Sequence, residues 1–201
     1  PFLYDDHRYI ADNTQIREMT NAALLWISPY HEAGLYRPVT SSSYLIDYSF
    51  YQLDPHGFHA SNVLYYLATI AAFFGVIRAV GGNRLETLVS TLLFAAHPVH
   101  TEAVSWIVGR AEILAGLFCF LAFISWARFR QTHRWHYLAL TCLAYFLALG
   151  AKENAAPLPA VLLLGEALNL FGSTTPSQSL PSRLKPLLPH FVILGTVFLG
   201  Y

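Results

Sequence analysis

Charge is scarce in this sequence. Asp, Glu, Lys and Arg make up only 12% of the residues, and none falls within 60–77, 113–127 or 135–151. Such runs exclude an ordinary soluble surface, because a soluble core helix of that length and polarity is expected once in a chain rather than repeatedly. Neither sign dominates: 12 basic and 12 acidic residues cancel. With no basic stripe, nothing supports nucleic-acid binding. Cysteine is nearly absent, and Cys119 and Cys142 stand in separate apolar runs, far from any metal-ligand spacing. No signal peptide opens the numbering, and no internal repeat is visible.

What is present is apolar. Hydrophobic residues reach 55% and the mean hydropathy is +0.41, a membrane-like composition. A spanning helix needs about 20 mostly apolar residues, because its backbone amides have no water to bond in lipid. The spans expected are 60–80, turning at Gly81-Gly82-Asn83; a short one, 85–97, stopped by Pro98; 113–126; a fourth ending at Gly150; a fifth opened by Pro157 and Pro159 and running to about Phe171; and a sixth starting near Pro189. A Ser/Thr/Pro-rich turn, 172–186, joins the last two. Because the chain opens on Pro1 and closes on an apolar run, further spans are expected on either side.

Residues 1–59 are polar and aromatic, too charged to face lipid, and read as a large loop outside the membrane. Within it, 13–26 is expected as a short helix, Pro29 and Gly34 as breaks, and 41–53 as a helix lying along the interface. Its tyrosines and Trp26 fit a membrane-interface belt better than sugar-stacking surfaces. The expectation is an all-α, polytopic helical bundle, 60–201, with juxtamembrane helices in the outer loop, 1–59.

Orientation follows from Lys and Arg in the short connections. One set carries Arg78, Arg84, Arg128, Arg130, Arg134, Arg183 and Lys185, the other Arg110 and Lys152. The first set is read as cytoplasmic, so the loop, residues 97–110 and Lys152-Glu153 share the outer side.

Those outer stretches hold the candidate chemistry. A charge at the bilayer centre costs about 2.5–3.5 kcal/mol on insertion scales, so Arg110, Glu112, Lys152 and Glu153 at span ends need a reason to be there. Snorkelling to the interface is one. The other is anion binding, since Arg binds phosphate oxygens bidentately and Lys as a point charge. The pair Asp5-Asp6 offers a general base or metal ligand, although a solvated loop or helix cap is the commoner role of such a pair. His97, His100 and Glu102 lie within six residues, which suits a divalent cation in principle, while Pro98 and the span end explain the spacing otherwise. Glu166, near the inner end of the fifth span, reads as a polar helix contact or a snorkelling side chain.

Six stretches occur in order: Phe2-Leu3-Tyr4-Asp5-Asp6; Tyr36-Arg37-Pro38-Val39-Thr40; Asp54-Pro55-His56-Gly57-Phe58-His59; His97-Pro98-Val99-His100-Thr101-Glu102-Ala103-Val104; Gly109-Arg110-Ala111-Glu112; and Lys152-Glu153. Together they resemble the membrane part of the transmembrane and tetratricopeptide-repeat O-mannosyltransferases, which are GT-C glycosyltransferases. The resemblance implies a polyprenyl- or dolichyl-phosphate sugar donor, an acidic catalytic base in the first outer loop, and inverting transfer to a hydroxyl, with mannose as the sugar and Ser or Thr of a protein as the acceptor it points to. By position it implies Asp5 or Asp6 as the base and Arg110, Lys152 and Arg37 as donor-phosphate contacts. His97, His100, Glu102, Glu112 and Glu153 are supporting residues. A divalent cation is a candidate cofactor, held by Asp5 and Asp6 or by His97, His100 and Glu102. The compartment implied is the bacterial inner membrane with the site facing outward, or the endoplasmic reticulum membrane with the site facing the lumen. The first span and the helical repeats of the family are expected outside this stretch. Two other classes compete: a transporter or flippase of lipid-linked sugars, which would place polar groups deep in several spans, and a noncatalytic membrane scaffold.

Overall fold

The structure, a computed structural model, describes residues 2–27, 35–171, 181 and 184–201. Pro29, Gly34, Arg183 and most of the Ser/Thr/Pro-rich turn lie outside the described residues. Among those described the chain is all-α, with eight helices: α1 Pro38–Tyr51, α2 Pro55–Ala79, α3 Arg84–Ala95, α4 His100–Ser105, α5 Arg110–Thr132, α6 Trp135–Ala151, α7 Leu158–Ala167 and α8 Leu188–Leu199.

Local chemistry sets their ends. Asp54 caps α2, its Oδ1 accepting from the His56 amide at 3.0 Å, and Pro55 follows where a missing N–H costs nothing. Asn83 and Glu86 form a reciprocal capping box on α3. Between α2 and α3 the chain reverses through Gly81 at φ 90°, which glycine adopts without a Cβ clash. His133 in the left-handed region ends α5, and Asn169 at φ 57° follows α7.

Two expectations are corrected. Residues 13–26 are not one helix but three 3-10 turns, Thr14–Arg17, Met19–Ala22 and Leu24–Trp26. Asn13 caps the first turn, its Oδ1 accepting from the Gln15 amide, while Asn21 Nδ2 donates to the Gln15 carbonyl that a continuing helix would use. Extended backbone at Glu18 then separates the first two turns. The third span also reaches further than Trp126: α5 runs to Thr132, so Arg128 and Arg130 belong to its last turns rather than to a connection.

Two segments are long and apolar enough to cross a membrane, Pro55–Ala79 and Ile107–Thr132. Helix α6 has 17 residues, while α3 and α8 have 12 each and α7 has 10; at 1.5 Å per residue these last three reach only about 15–18 Å. The outward faces of α2 and α3 expose Leu64, Leu67, Leu85, Leu92 and Leu93, an apolar surface that lipid covers at no cost and water does not. This is an all-α membrane protein.

Helix α5 is the axis, packed most extensively on α6 and next on α2. Alanines at the seam, Ala122 with Ala144 and Ala148 and Ala115 with Ala151, let the backbones approach. The main core gathers Trp126, Phe129, Tyr145, Leu149, Leu162 and Leu194 from α5, α6, α7 and α8. A second core fixes the N-terminal loop to the helix ends: Ile10, Ile16, Leu25, Tyr44 and Leu45 close on Phe58 of α2 and on Ile107.

Candidate functional site

One member of the acidic pair is pinned by backbone amides, one nearby and one distant in the chain. Asp6 is buried; its Oδ1 accepts from the Val108 amide at 3.0 Å and its Oδ2 from the Leu3 amide at 3.1 Å. Asp5 beside it is exposed. Tyr4 stands at φ 41°, a region costly for an aromatic residue, and its ring meets Trp106 edge-on with centroids 6.4 Å apart. The N-terminal loop is therefore fastened to 106–108, the connection that leads into α5. That connection is tight: a Cβ on Gly109 would fall 2.4 Å from the Ala103 carbonyl oxygen.

Arg110 does not reach the surface. It is fully buried and its guanidinium is consumed by the protein: Nε donates to Asn62 Oδ1 at 2.7 Å, Nη2 to the Phe58 carbonyl at 2.9 Å, and Nη1 to the Ser43 carbonyl at 3.3 Å. Asp47 Oδ2 lies 2.6 Å from Nη2 as an ion pair, while Asp47 Oδ1 accepts from Ser61 Oγ at 2.8 Å. The Tyr44 ring stands 4.7 Å from the guanidinium carbon. Arg110 thereby ties α1, α2 and α5 together, its donors directed at Asn62, Phe58, Ser43 and Asp47.

Arg37 and Lys152 are placed otherwise. Both line a cavity of about 510 Å³, together with His100, Glu102, Trp106 and Glu112. Arg37, just before α1, grips Glu153 with Nε at 3.0 Å and Nη2 at 2.6 Å, a bidentate fork. Lys152, just after α6, pairs with Glu112, whose other oxygen accepts from Asn154 Nδ2 at 2.9 Å. The Arg37 hydrogen bond holds the Glu153 carboxyl below its ordinary range. His100 is pushed down by burial and then by His97, so it borders the cavity uncharged at neutral pH.

The structure thus brings Arg37, Lys152, Glu112, Glu102 and His100 to one cavity, with Asp6 bonded to its wall at Val108 and Glu153 behind Arg37. His97 stays exposed, its Nδ1 accepting from the Val99 amide at 3.2 Å. Among the described residues no three of His, Cys, Asp and Glu gather as metal ligands.

Sequence reasoning missed Asp47, Asn62, Trp106 and Asn154. The signal for two of them was there: Asn62 is a lone amide in an uncharged run and Asp47 a lone carboxylate among aromatic and Ser residues, and each asks for a buried partner. Glu166 finds one as well. Its Oε1 accepts from Arg130 Nε at 2.6 Å and from Trp126 Nε1 at 2.9 Å, all three being buried.

Sequence comparison finds relatives with one kind of name. The chain is 30% identical over 186 residues to Protein O-mannosyl-transferase TMTC3 of Homo sapiens, an alignment covering 87% of this chain and 20% of that protein. It is 34% identical over 172 residues to Protein O-mannosyl-transferase Tmtc1 of Drosophila melanogaster, covering 82% and 20%. To Protein O-mannosyl-transferase tmtc2 of Xenopus laevis it is 38% identical over 141 residues, covering 65% and 17%. The chain spans about a fifth of the length of the curated relatives it matches. No family model and no solved structure matches it.

Proposed function

Because the chain is a relative of the TMTC protein O-mannosyl-transferases over about a fifth of their length, we propose that it forms the donor-binding part of a GT-C-type membrane glycosyltransferase. The reaction is inverting transfer of a sugar, mannose in the first instance, from polyprenyl or dolichyl phosphate to a Ser or Thr hydroxyl of a protein. It takes place on the extracytoplasmic side, at the bacterial cell exterior or in the lumen of the endoplasmic reticulum.

One observation carries this reading: Arg37 and Lys152, far apart in the chain, line the same cavity, and the Asp5-Asp6 motif is bonded to its wall through Asp6. Two cations at one opening match a lipid phosphate, whose negative charge grows as the sugar leaves. Asp5, exposed beside the anchored Asp6, is the general base. It takes the hydroxyl proton as the acceptor oxygen bonds to the anomeric carbon, and the bond from that carbon to the phosphate oxygen breaks with its electron pair on the phosphate. Arg37 and Lys152 take up that charge. Asp6 positions the motif through Val108, and Arg110 positions the start of α5 and hence Glu112.

Purified full-length protein, offered a panel of polyprenyl-phosphate sugars with and without a chelator, tests this directly. Transfer from the mannosyl donor is expected, and Asp5→Asn lowers it by about 10²-fold or more, as loss of a general base does. A normally expressed Asp5→Asn protein with undiminished transfer refutes the assignment of the base.

A further inference from the structure

The charges around the cavity do not favour the anion it is proposed to hold. Arg37 and Lys152 meet Glu102, Glu112 and, through the Arg37 fork, Glu153, while His100 adds no charge. Two cations among three carboxylates leave no spare positive charge, and a phosphate entering that set is repelled. One carboxylate must give way.

The geometry points to which. The cations are set into the wall, with side chains 11% and 23% exposed for Arg37 and Lys152, whereas Glu153 and Glu112 are 51% and 44% exposed. The carboxylates are thus the movable members. Glu153 is held by two parallel N–H bonds and is not part of the cavity lining, the stronger arrangement. Glu112 lines the cavity itself, with one oxygen on the Lys152 ammonium and the other on the Asn154 amide. That is one donor per oxygen, the pattern two phosphate oxygens would take. Glu112 also has somewhere to go. Together with His100 it borders a second cavity, of about 260 Å³, lined by Tyr66, Thr69 and Phe94, and rotation about its side-chain bonds carries the carboxylate from Lys152 toward the His100 imidazole.

We propose that Glu112 is a displaceable internal anion: its carboxylate holds Lys152 and Asn154 when no donor is bound, and the phosphate of a prenyl lipid takes its place. Glu112 thereby sets the affinity and selectivity of the site. Anions that bind Lys152 and Asn154 no better than a carboxylate are kept out, and a phosphate attached to a lipid gains entry. This rests on reading the cavity as a lipid-phosphate site, and the test separates the two claims.

Binding of farnesyl phosphate, farnesol and inorganic phosphate is measured on full-length protein in detergent, for the wild type, Glu112→Gln, Glu112→Asp and Lys152→Met. Glu112→Gln is expected to bind farnesyl phosphate about two- to fivefold more tightly than the wild type, the range that release of one exposed ion pair allows, with farnesol unchanged and Lys152→Met weaker. If Lys152→Met weakens binding but Glu112→Gln leaves it equal or weaker, the displacement is overturned while the cavity reading stands. If neither wild type nor Glu112→Gln binds farnesyl phosphate, the cavity reading falls and this inference with it. An equal gain for farnesol, or binding of inorganic phosphate as tight as that of farnesyl phosphate, overturns the lipid-phosphate assignment. Should Glu112→Gln fail to fold, Glu112→Asp decides: one methylene shorter, it falls short of Lys152 and tightens binding, and equal or weaker binding counts against the proposal.

Discussion

Glu153 shows how a single hydrogen-bonded charge is tuned and what that tuning predicts. The Arg37 hydrogen bond lowers its pKa from the ordinary 4.5. Because the folded value lies below the unfolded one, the pair's stabilisation is full above pH 4.5 and is lost as pH falls through the lowered value. With Glu153 half exposed, solvent screens the pair, and about 0.2–1 kcal/mol is the range expected. Thermal unfolding of wild type and Glu153→Gln in detergent should therefore differ slightly at pH 7 and converge below pH 4.5. A gap that persists undiminished into strong acid would mean that the Arg37 contact contributes nothing measurable.

At the scale of elements, the three-helix junction around Arg110 matters most. A guanidinium with no exposure, ion-paired to Asp47 and bonded to Asn62, Ser43 and Phe58, joins α1 and α2 to the first turn of α5. Removing one partner leaves the other charge buried and uncompensated. Arg110→Met should cost about 3–5 kcal/mol, and the double variant Arg110→Met with Asp47→Leu should recover most of it, since a buried ion pair replaced by apolar groups of similar size is often neutral. The measurement is unfolding of the two variants side by side. A double variant no more stable than Arg110→Met would show that Arg110 acts through its carbonyl contacts rather than through Asp47. Contacts just before this junction fix where α5 starts: Val108 is held by Asp6 and Gly109 has no room for a side chain, so Glu112, two residues after Arg110, reaches the cavity.

Across the whole molecule, α5 carries a buried arginine at each end. Arg110 pairs with Asp47, and Arg130 with Glu166. The rise of 1.5 Å per residue sets them about 30 Å apart, the thickness of a bilayer's hydrocarbon core. Between them lie Ile113 to Ala127 without a charge. The ion pairs therefore bracket the apolar layer, and Asp5, Arg37, Lys152 and the cavity belong to the Arg110 end. This orientation is testable in sealed vesicles or cells with a membrane-impermeant thiol reagent, after Cys119 and Cys142 are replaced by Ser. Leu3→Cys and Asn154→Cys should label from the outer side, and Trp135→Cys, exposed at the start of α6, should not. Labelling of Leu3→Cys and Trp135→Cys from one side would contradict it.

The helical bundle and the grouping of charges at helix ends were legible in the residues alone, because apolar run length, Pro and Gly breaks and capping residues act over a few neighbours. Asn83 with Glu86, or Asp54 with Pro55, needs nothing distant. The stretches that hold the candidate site were legible for the same reason, since charges beside long apolar runs are confined to a few places in the chain. Which of those charges lines a cavity was not. Arg110 and Lys152 look alike in sequence, each within two residues of a Glu, yet one is sealed under Tyr44 and the other opens on a cavity. Asp6 and Asp5 are adjacent, yet only Asp6 is bound to Val108, which lies 102 residues away in the chain. Burial and pairing depend on contacts between distant segments, such as the 116 residues between Arg37 and Glu153, and only the packed tertiary structure decides them.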